Sequence, residues 1–199
     1  MLPSADSKLV QIVDAAFADA ARRSGDWLVC RPGCTQCCHG VFEITLLDAE
    51  RLQRGVQELR ERDPERADRM LARAKEAVQR LSPEFPGDVK TGMLSGDDEA
   101  FERFADDEPC PALDPDTGMC DVYAWRPITC RVFGPPVKQE GGLAVCELCY
   151  HGATDEEVAR CEMVPDPEDL ESRLVCDVED ARGEEGYTIL AFALTKGTR

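Results

Sequence analysis

Cysteine dominates the chemistry open to this chain. Four of its eleven cysteines fall within nine residues, CRPGCTQCC, from Cys30 to Cys38. The spacing is Cys30-x3-Cys34-x2-Cys37-Cys38. Gaps of two or three residues let two thiolates reach one ion from a single turn of chain. Pro32-Gly33 ahead of Cys34 favours such a turn, because glycine tolerates the left-handed backbone it can require. A second set is evenly spaced, Cys110, Cys120 and Cys130, and Cys146-x2-Cys149 follows. These nine thiols are the candidate metal ligands. His39 and His151 lie near Cys38 and Cys149 and could complete a site. Cys161 and Cys176 are isolated and read as buried filler, Cys176 because it follows Leu174 on an expected helix.

The pair Cys37-Cys38 has its own logic. Side chains of adjacent residues diverge, so the two are not expected to be equivalent ligands of one tetrahedral ion. Nine thiols also exceed the four of a mononuclear zinc site, which leaves a two-ion or cluster centre open. Iron–sulfur clusters are commonly held by four cysteine thiolates as well. Spacing does not choose between zinc and iron.

A metal reading requires reduced thiols. The N-terminus lacks the basic region and apolar core of a signal peptide. No apolar run approaches the roughly 20 residues that span a bilayer. The expectation is a cytoplasmic chain without membrane association, in which thiols stay reduced. The net charge of −17 is concentrated in two stretches. Asp97 to Glu108 carries seven acids and one base, and His151 to Glu185 carries thirteen acids and three bases. Such runs are usually solvated faces, and the functional alternative is docking of a basic protein partner. Nucleic acid is excluded as a partner, since phosphates need clustered Lys and Arg.

The elements that must position the cysteines are mostly helices. Leu9, Ile12, Val13, Ala16, Phe17 and Ala20 form one apolar stripe, with Gly25 as its stop. Asp48 is the expected cap of a second helix carrying Leu52, Val56 and Leu59. Asp63-Pro64 opens a third through Met70, Leu71, Ala74, Val78 and Leu81, so the second and third make a helical hairpin. A fourth is expected from Asp166-Pro167 through Leu170 and Leu174 toward Cys176. Short helices are expected over Asp97–Phe104 and after Thr154, where Thr154 and Glu157 match a capping box. DPDTG, Asp114 to Gly118, is a turn. GYTILAFALT near the end reads as a short strand, with a buried helix as its rival. The fold class is therefore mainly α: a small helical domain with irregular cysteine-rich loops organised around a metal centre. The expected organisation is a single domain over 1–199, with a cysteine core at 29–150 and an acidic C-terminal extension at 151–199.

The motifs also resemble a known family. CRPGCTQCC, FEITLLDAERL and CPALDPDTGMCDVYAWRPITCRVFG together resemble the YkgJ-like cysteine cluster proteins of bacteria and archaea, which are described as carrying a zinc- or iron-chelating domain. The family's first signature falls on Cys30, Cys34, Cys37 and Cys38. Its second falls on Cys110 to Leu113, on Cys120 and Tyr123, and on Arg126, Pro127, Cys130 and Arg131. The resemblance covers about Val29 to Gly134 and implies metal binding without a settled general activity. A related signature occurs in flagellin lysine methylases. Apart from the family, Arg126 and Arg131 make sense as neighbours that offset the charge of a four-thiolate site, with Tyr123 and Trp125 covering it or the core beside it.

Three functions compete. The first is a metal-binding protein whose zinc or iron centre serves a structural, storage, delivery or sensing role. The second is a small metal- or Fe–S-dependent enzyme, such as one with a protein methyltransferase-like activity. Cys30, Cys34 and Cys37 match the spacing of radical S-adenosylmethionine enzymes, but the strand–helix alternation of their partial barrel is absent. The third is a metal-stapled interaction module that docks through its acidic faces.

Overall fold

The computed structural model describes residues 1–102, 104–139 and 141–196. In chain order the regular elements begin with α1 (Asp6–Ser24), β1 (Glu43–Thr45), α2 (Leu46–Arg62) and α3 (Pro64–Leu81). Next come β2 (Gly87–Asp88), β3 (Met93–Leu94), α4 (Asp98–Glu102), β4 (Leu113–Asp114) and β5 (Met119–Cys120). They are followed by α5 (Ile128–Val132), β6 (Val137–Gln139), β7 (Gly142–Ala144) and α6 (Asp155–Arg160). The last are α7 (Leu170–Arg182), β8 (Tyr187–Ile189) and α8 (Leu190–Thr195). The fold is mainly α, with short strands and with the cysteines clustered in loops, as expected from the helical stripes. No described helix is long and apolar enough to cross a membrane.

Two compact units share the chain. One comprises Met1–Pro3, Gly33–Pro127 and Val175–Arg199, and the other Ser4–Pro32 and Ile128–Leu174. In the first, α2 and α3 form the expected hairpin through Asp63, whose side chain accepts the Arg66 N–H at 3.0 Å. Helix α8 packs against both. Leu52, Ala67, Met70 and Ala74 are fully buried between them. A neighbouring aromatic cluster sets Phe85 and Phe192 ring centroids 4.6 Å apart. Strand β8 is central in a small antiparallel sheet of order β1-β8-β3-β2, with Ile44 opposite Thr188.

In the second unit, α5 packs on α1. The β6–β7 hairpin pairs Val137 with Ala144. A small core of Cys149, Tyr150 and Cys161 packs with Trp27, Leu28 and Cys146. The Tyr150 hydroxyl is 2.5 Å from that of Ser24, at the end of α1. The capping box at Thr154 is present, with Glu157 N–H bonded to Thr154 Oγ1 and Glu157 Oε2 accepting the Thr154 N–H.

Several expectations need correction. Thr45, not Asp48, caps α2, because Thr45 holds the extended backbone that a cap requires and accepts the Asp48 N–H. Asp48 sits inside the first turn and pairs with the fully buried Arg51. Helix α7 begins at Leu170 rather than at Asp166-Pro167, because Asp169 is left-handed, with φ 52°. The helix runs past Cys176 to Arg182, and Cys176 is exposed rather than buried filler. The C-terminal stretch is neither strand nor helix alone: Tyr187–Ile189 is a strand and Leu190–Thr195 a buried helix. The short helix expected over Asp97–Phe104 covers Asp98–Glu102, and Arg103 lies outside the described residues.

Candidate metal centre

The candidate site in the first unit begins with a 3₁₀ turn, Gln36–Cys38, closed by the Cys38 N–H bonding to Thr35 C=O at 2.8 Å. Ahead of it Gly33 takes φ 89°, the left-handed turn expected before Cys34. The next residues run antiparallel to the segment before Cys110. Cys38 C=O accepts the Cys110 N–H at 2.8 Å, and the Gly40 N–H bonds to Glu108 C=O at 3.0 Å. His39 and Pro109 form a bridge between these two bonds. Two cysteine segments that lie about seventy residues apart in sequence are thus zipped together by backbone bonds.

Cys120 is delivered by the β4–β5 hairpin, in which it stands opposite Leu113. The expected DPDTG turn makes the bend, closed by the Gly118 N–H bonding to Asp114 C=O at 2.9 Å. The backbone of Gly33 and the side chain of Thr35 lie against Gly118, which places the Cys34 segment beside this hairpin. Cys34, Cys37, Cys38, Cys110 and Cys120 therefore belong to one unit, and all five are partly buried.

Four of these thiols lie near enough to act on one another electrostatically. The thiols of Cys37 and Cys38 are hydrogen-bonded, because the 3₁₀ turn brings the adjacent side chains together instead of splaying them as expected. Cys38 donates, so the Cys37 thiol comes down to about 7, helped by its backbone and by Arg126. The Cys38 thiol is pushed well up by that same bond, by burial, and by the charges of Cys37, Cys110 and Cys120. Burial and the neighbouring Cys120 push Cys110 up to about 12. Burial also raises Cys120, against the pull of its backbone contacts and of Arg126. Arg126 stacks its guanidinium 4.0 Å over the Tyr123 ring. Tyr123 itself is 58% exposed.

The other candidate ligands fall in the second unit. Cys30 lies against Gly134, where an added Cβ would come within 2.9 Å of its sulfur. The Cys146 N–H reaches Gly134 C=O at 3.5 Å, and the Cys149 N–H bonds to Cys146 C=O at 2.9 Å. Cys149 is buried and Cys130 is half-buried on α5. Arg131 is buried in the same unit, donating to Asp14 at 2.8 and 2.9 Å. His39 and His151 are exposed. None of the eleven cysteines is in a disulfide. Among the described residues, no three Cys, His, Asp or Glu side chains stand close enough to grip one ion as placed.

One part of the machinery escaped the sequence reading. Asp121, beside Cys120, is buried and paired with both Arg66 and Arg73 of α3. Arg73 also donates from Nε to Pro111 C=O, beside Cys110, at 3.1 Å. The only signal in the sequence is the seven-residue spacing of Arg66 and Arg73, which puts both on one helix face.

Residues 29–150 match the model of the CxxCxxCC family, described as a "putative zinc- or iron-chelating domain". No curated protein and no solved structure matches the chain.

Proposed function

The chain belongs to the CxxCxxCC family, and from that premise we propose that it binds zinc or iron through cysteine thiolates. The ligands in the first unit are Cys37, Cys38, Cys110 and Cys120, with Cys34 adjoining them. The observation that carries this reading is the Cys38–Cys110 backbone bond, which joins the two cysteine segments and leaves four thiols in mutual electrostatic range. The donor set fits a soft or borderline cation, since thiolates select zinc and iron–sulfur centres over magnesium or calcium.

The chain's own residues do the remaining work. Cys37 loses its proton more readily than an ordinary thiol, and Cys38 stabilises the resulting charge by donating to it. Arg126 adds a positive charge beside Cys37 and Cys120, as expected of a neighbour to a thiolate centre. A metal held by Cys37, Cys38, Cys110 and Cys120 would supply the attraction needed to deprotonate the thiols that burial raises. Cys30, Cys130, Cys146 and Cys149 form a further thiol set in the second unit, and Arg131 there is matched by Asp14. More than one metal equivalent per chain follows from two such sets.

The role we assign is structural. Segments 33–40 and 109–127 are made of turns, very short strands and 3₁₀ pieces, and a metal would cross-link them. The cytoplasm suits such a chain because thiols stay reduced there. Metal analysis together with a visible spectrum on protein purified without oxygen tests the proposal. Stoichiometric zinc without colour, or iron with the brown absorption of a cluster, supports it. Protein free of both metals after purification, and unable to take up either, refutes it.

A further inference from the structure

Arg73 occupies a position from which it touches the residue following each of two candidate ligands. Its Nε donates to Pro111 C=O at 3.1 Å, one residue past Cys110. Its Nη2 pairs with Asp121 Oδ2 at 2.5 Å, one residue past Cys120. Pro111 has no N–H, so its carbonyl is its only backbone hydrogen-bonding group, and Arg73 supplies the donor. Asp121 has a side chain only 1% exposed, and Arg66 supplies it with a second guanidinium. The Asp121 N–H also bonds to Ala112 C=O at 2.8 Å, so the two ligand-bearing segments already run side by side.

We propose that Arg73 is a positioning residue of the thiol centre, its guanidinium clamping the Cys110 and Cys120 segments at a fixed separation before any metal arrives. Three features support this. The guanidinium is planar and presents its donors in a rigid fork, so two acceptors held by one fork are held relative to each other. Its base is firm, because Ala67, Met70 and Ala74 on the same helix are fully buried in the core. The carboxylate it grips is itself held at its other oxygen, since Arg66 pairs with Asp121 Oδ1. Metal sites depend on such outer contacts, and losing one typically costs about 10–100-fold in affinity. The inference rests on the proposal that these thiols hold the metal.

The test is zinc affinity of the full chain, measured without oxygen by competition with a chromogenic chelator. The variants are Arg73→Met, Arg73→Lys, Asp121→Asn and Arg66→Met, with helix content and the denaturation midpoint of the metal-free form recorded for each. Arg73→Met and Asp121→Asn should weaken zinc binding about 10–100-fold with helix content retained. Arg66→Met should weaken it less, because Arg66 reaches only one of the two segments. Arg73→Lys should stay weakened, since an ammonium keeps the charge but not the fork. Zinc affinity within twofold of wild type in Arg73→Met, with only the metal-free stability lowered, overturns the inference. So does full affinity in Arg73→Lys, which would reduce the role to charge. A wild-type chain that binds neither zinc nor iron overturns the metal reading itself and this inference with it, an outcome distinct from wild-type binding that the variants leave unchanged.

Discussion

Gly55→Ala sets two known effects against each other at one position. Gly55 lies in the interior of α2, where glycine costs about 0.5–1 kcal/mol relative to alanine. On helix propensity alone the substitution should stabilise. An added Cβ would, however, come 2.6 Å from Trp125 Cβ, 2.9 Å from Cγ and 3.1 Å from Cδ1. Trp125 cannot easily yield, because it packs on the main core and its Nε1 donates to Glu58 Oε2 at 3.2 Å. Overpacking of this kind costs about 1–3 kcal/mol. On central values of about 2 and about 0.75 kcal/mol the clash wins, by about 1 kcal/mol net. For a chain of this size each kcal/mol moves the melting temperature by about 2–4 °C, so a drop of about 2–4 °C is expected. Thermal unfolding followed by circular dichroism and by tryptophan emission reads it. The control is the same substitution in a Trp125→Gly background, which removes Trp125 Cβ as well, so that the propensity gain remains and alanine should stabilise by about 0.5–1 kcal/mol. A rise in melting temperature for Gly55→Ala alone, or equal destabilisation in both backgrounds, refutes the reasoning. The contact matters for the site, since the Tyr123–Trp125 turn leads from Cys120 to Arg126.

Three further outcomes are expected. In metal-free protein, alkylation of Cys37 by iodoacetamide should rise with pH through a midpoint of about 7, because the thiolate is the reactive form. Cys38→Ala removes the donor that holds this value down, so the midpoint should move up toward the ordinary thiol value of about 8.5, and an unmoved midpoint counts against the hydrogen bond. Thr154→Ala breaks the capping box of α6 at a cost of about 1 kcal/mol, seen as faster amide exchange over Asp155–Arg160, and unchanged exchange there argues against it. Chelation, or the Cys34→Ser, Cys37→Ser double variant, should abolish amide protection over 34–40 and 110–125 while α2 and α3 persist; unchanged melting with full metal content would contradict this.

Much of the helical frame was legible because it rests on local rules. The α3 stripe from Met70 to Leu81, the Asp63-Pro64 opening and the Thr154–Glu157 box depend on residues within a turn or two of each other. Errors arose where two local signals competed. Asp48 and Thr45 both suit a cap, and only the extended backbone at Thr45 decides between them. Asp166-Pro167 looks like a helix start, yet left-handed Asp169 delays it to Leu170. At the C-terminus, burial on the sheet and burial on α2 and α3 use the same apolar residues, so the change from strand to helix at Leu190 leaves no mark in composition.

Cysteine spacing and composition alone determined that this protein's chemistry is thiol chemistry, because ligation within a short loop depends only on nearby residues. Which cysteine segments meet, and which side chains clamp them, was not readable in that way. Cys37 and Cys110 become neighbours through the backbone bond from Cys110 to Cys38. Asp121 becomes a buried hub only because α3 presents Arg66 and Arg73 to it from about fifty residues away. Such contacts between distant segments carry no period and no local propensity. Only the tertiary structure decided them, since it is burial that makes an unpaired carboxylate or an idle carbonyl costly and so selects the partner that satisfies it.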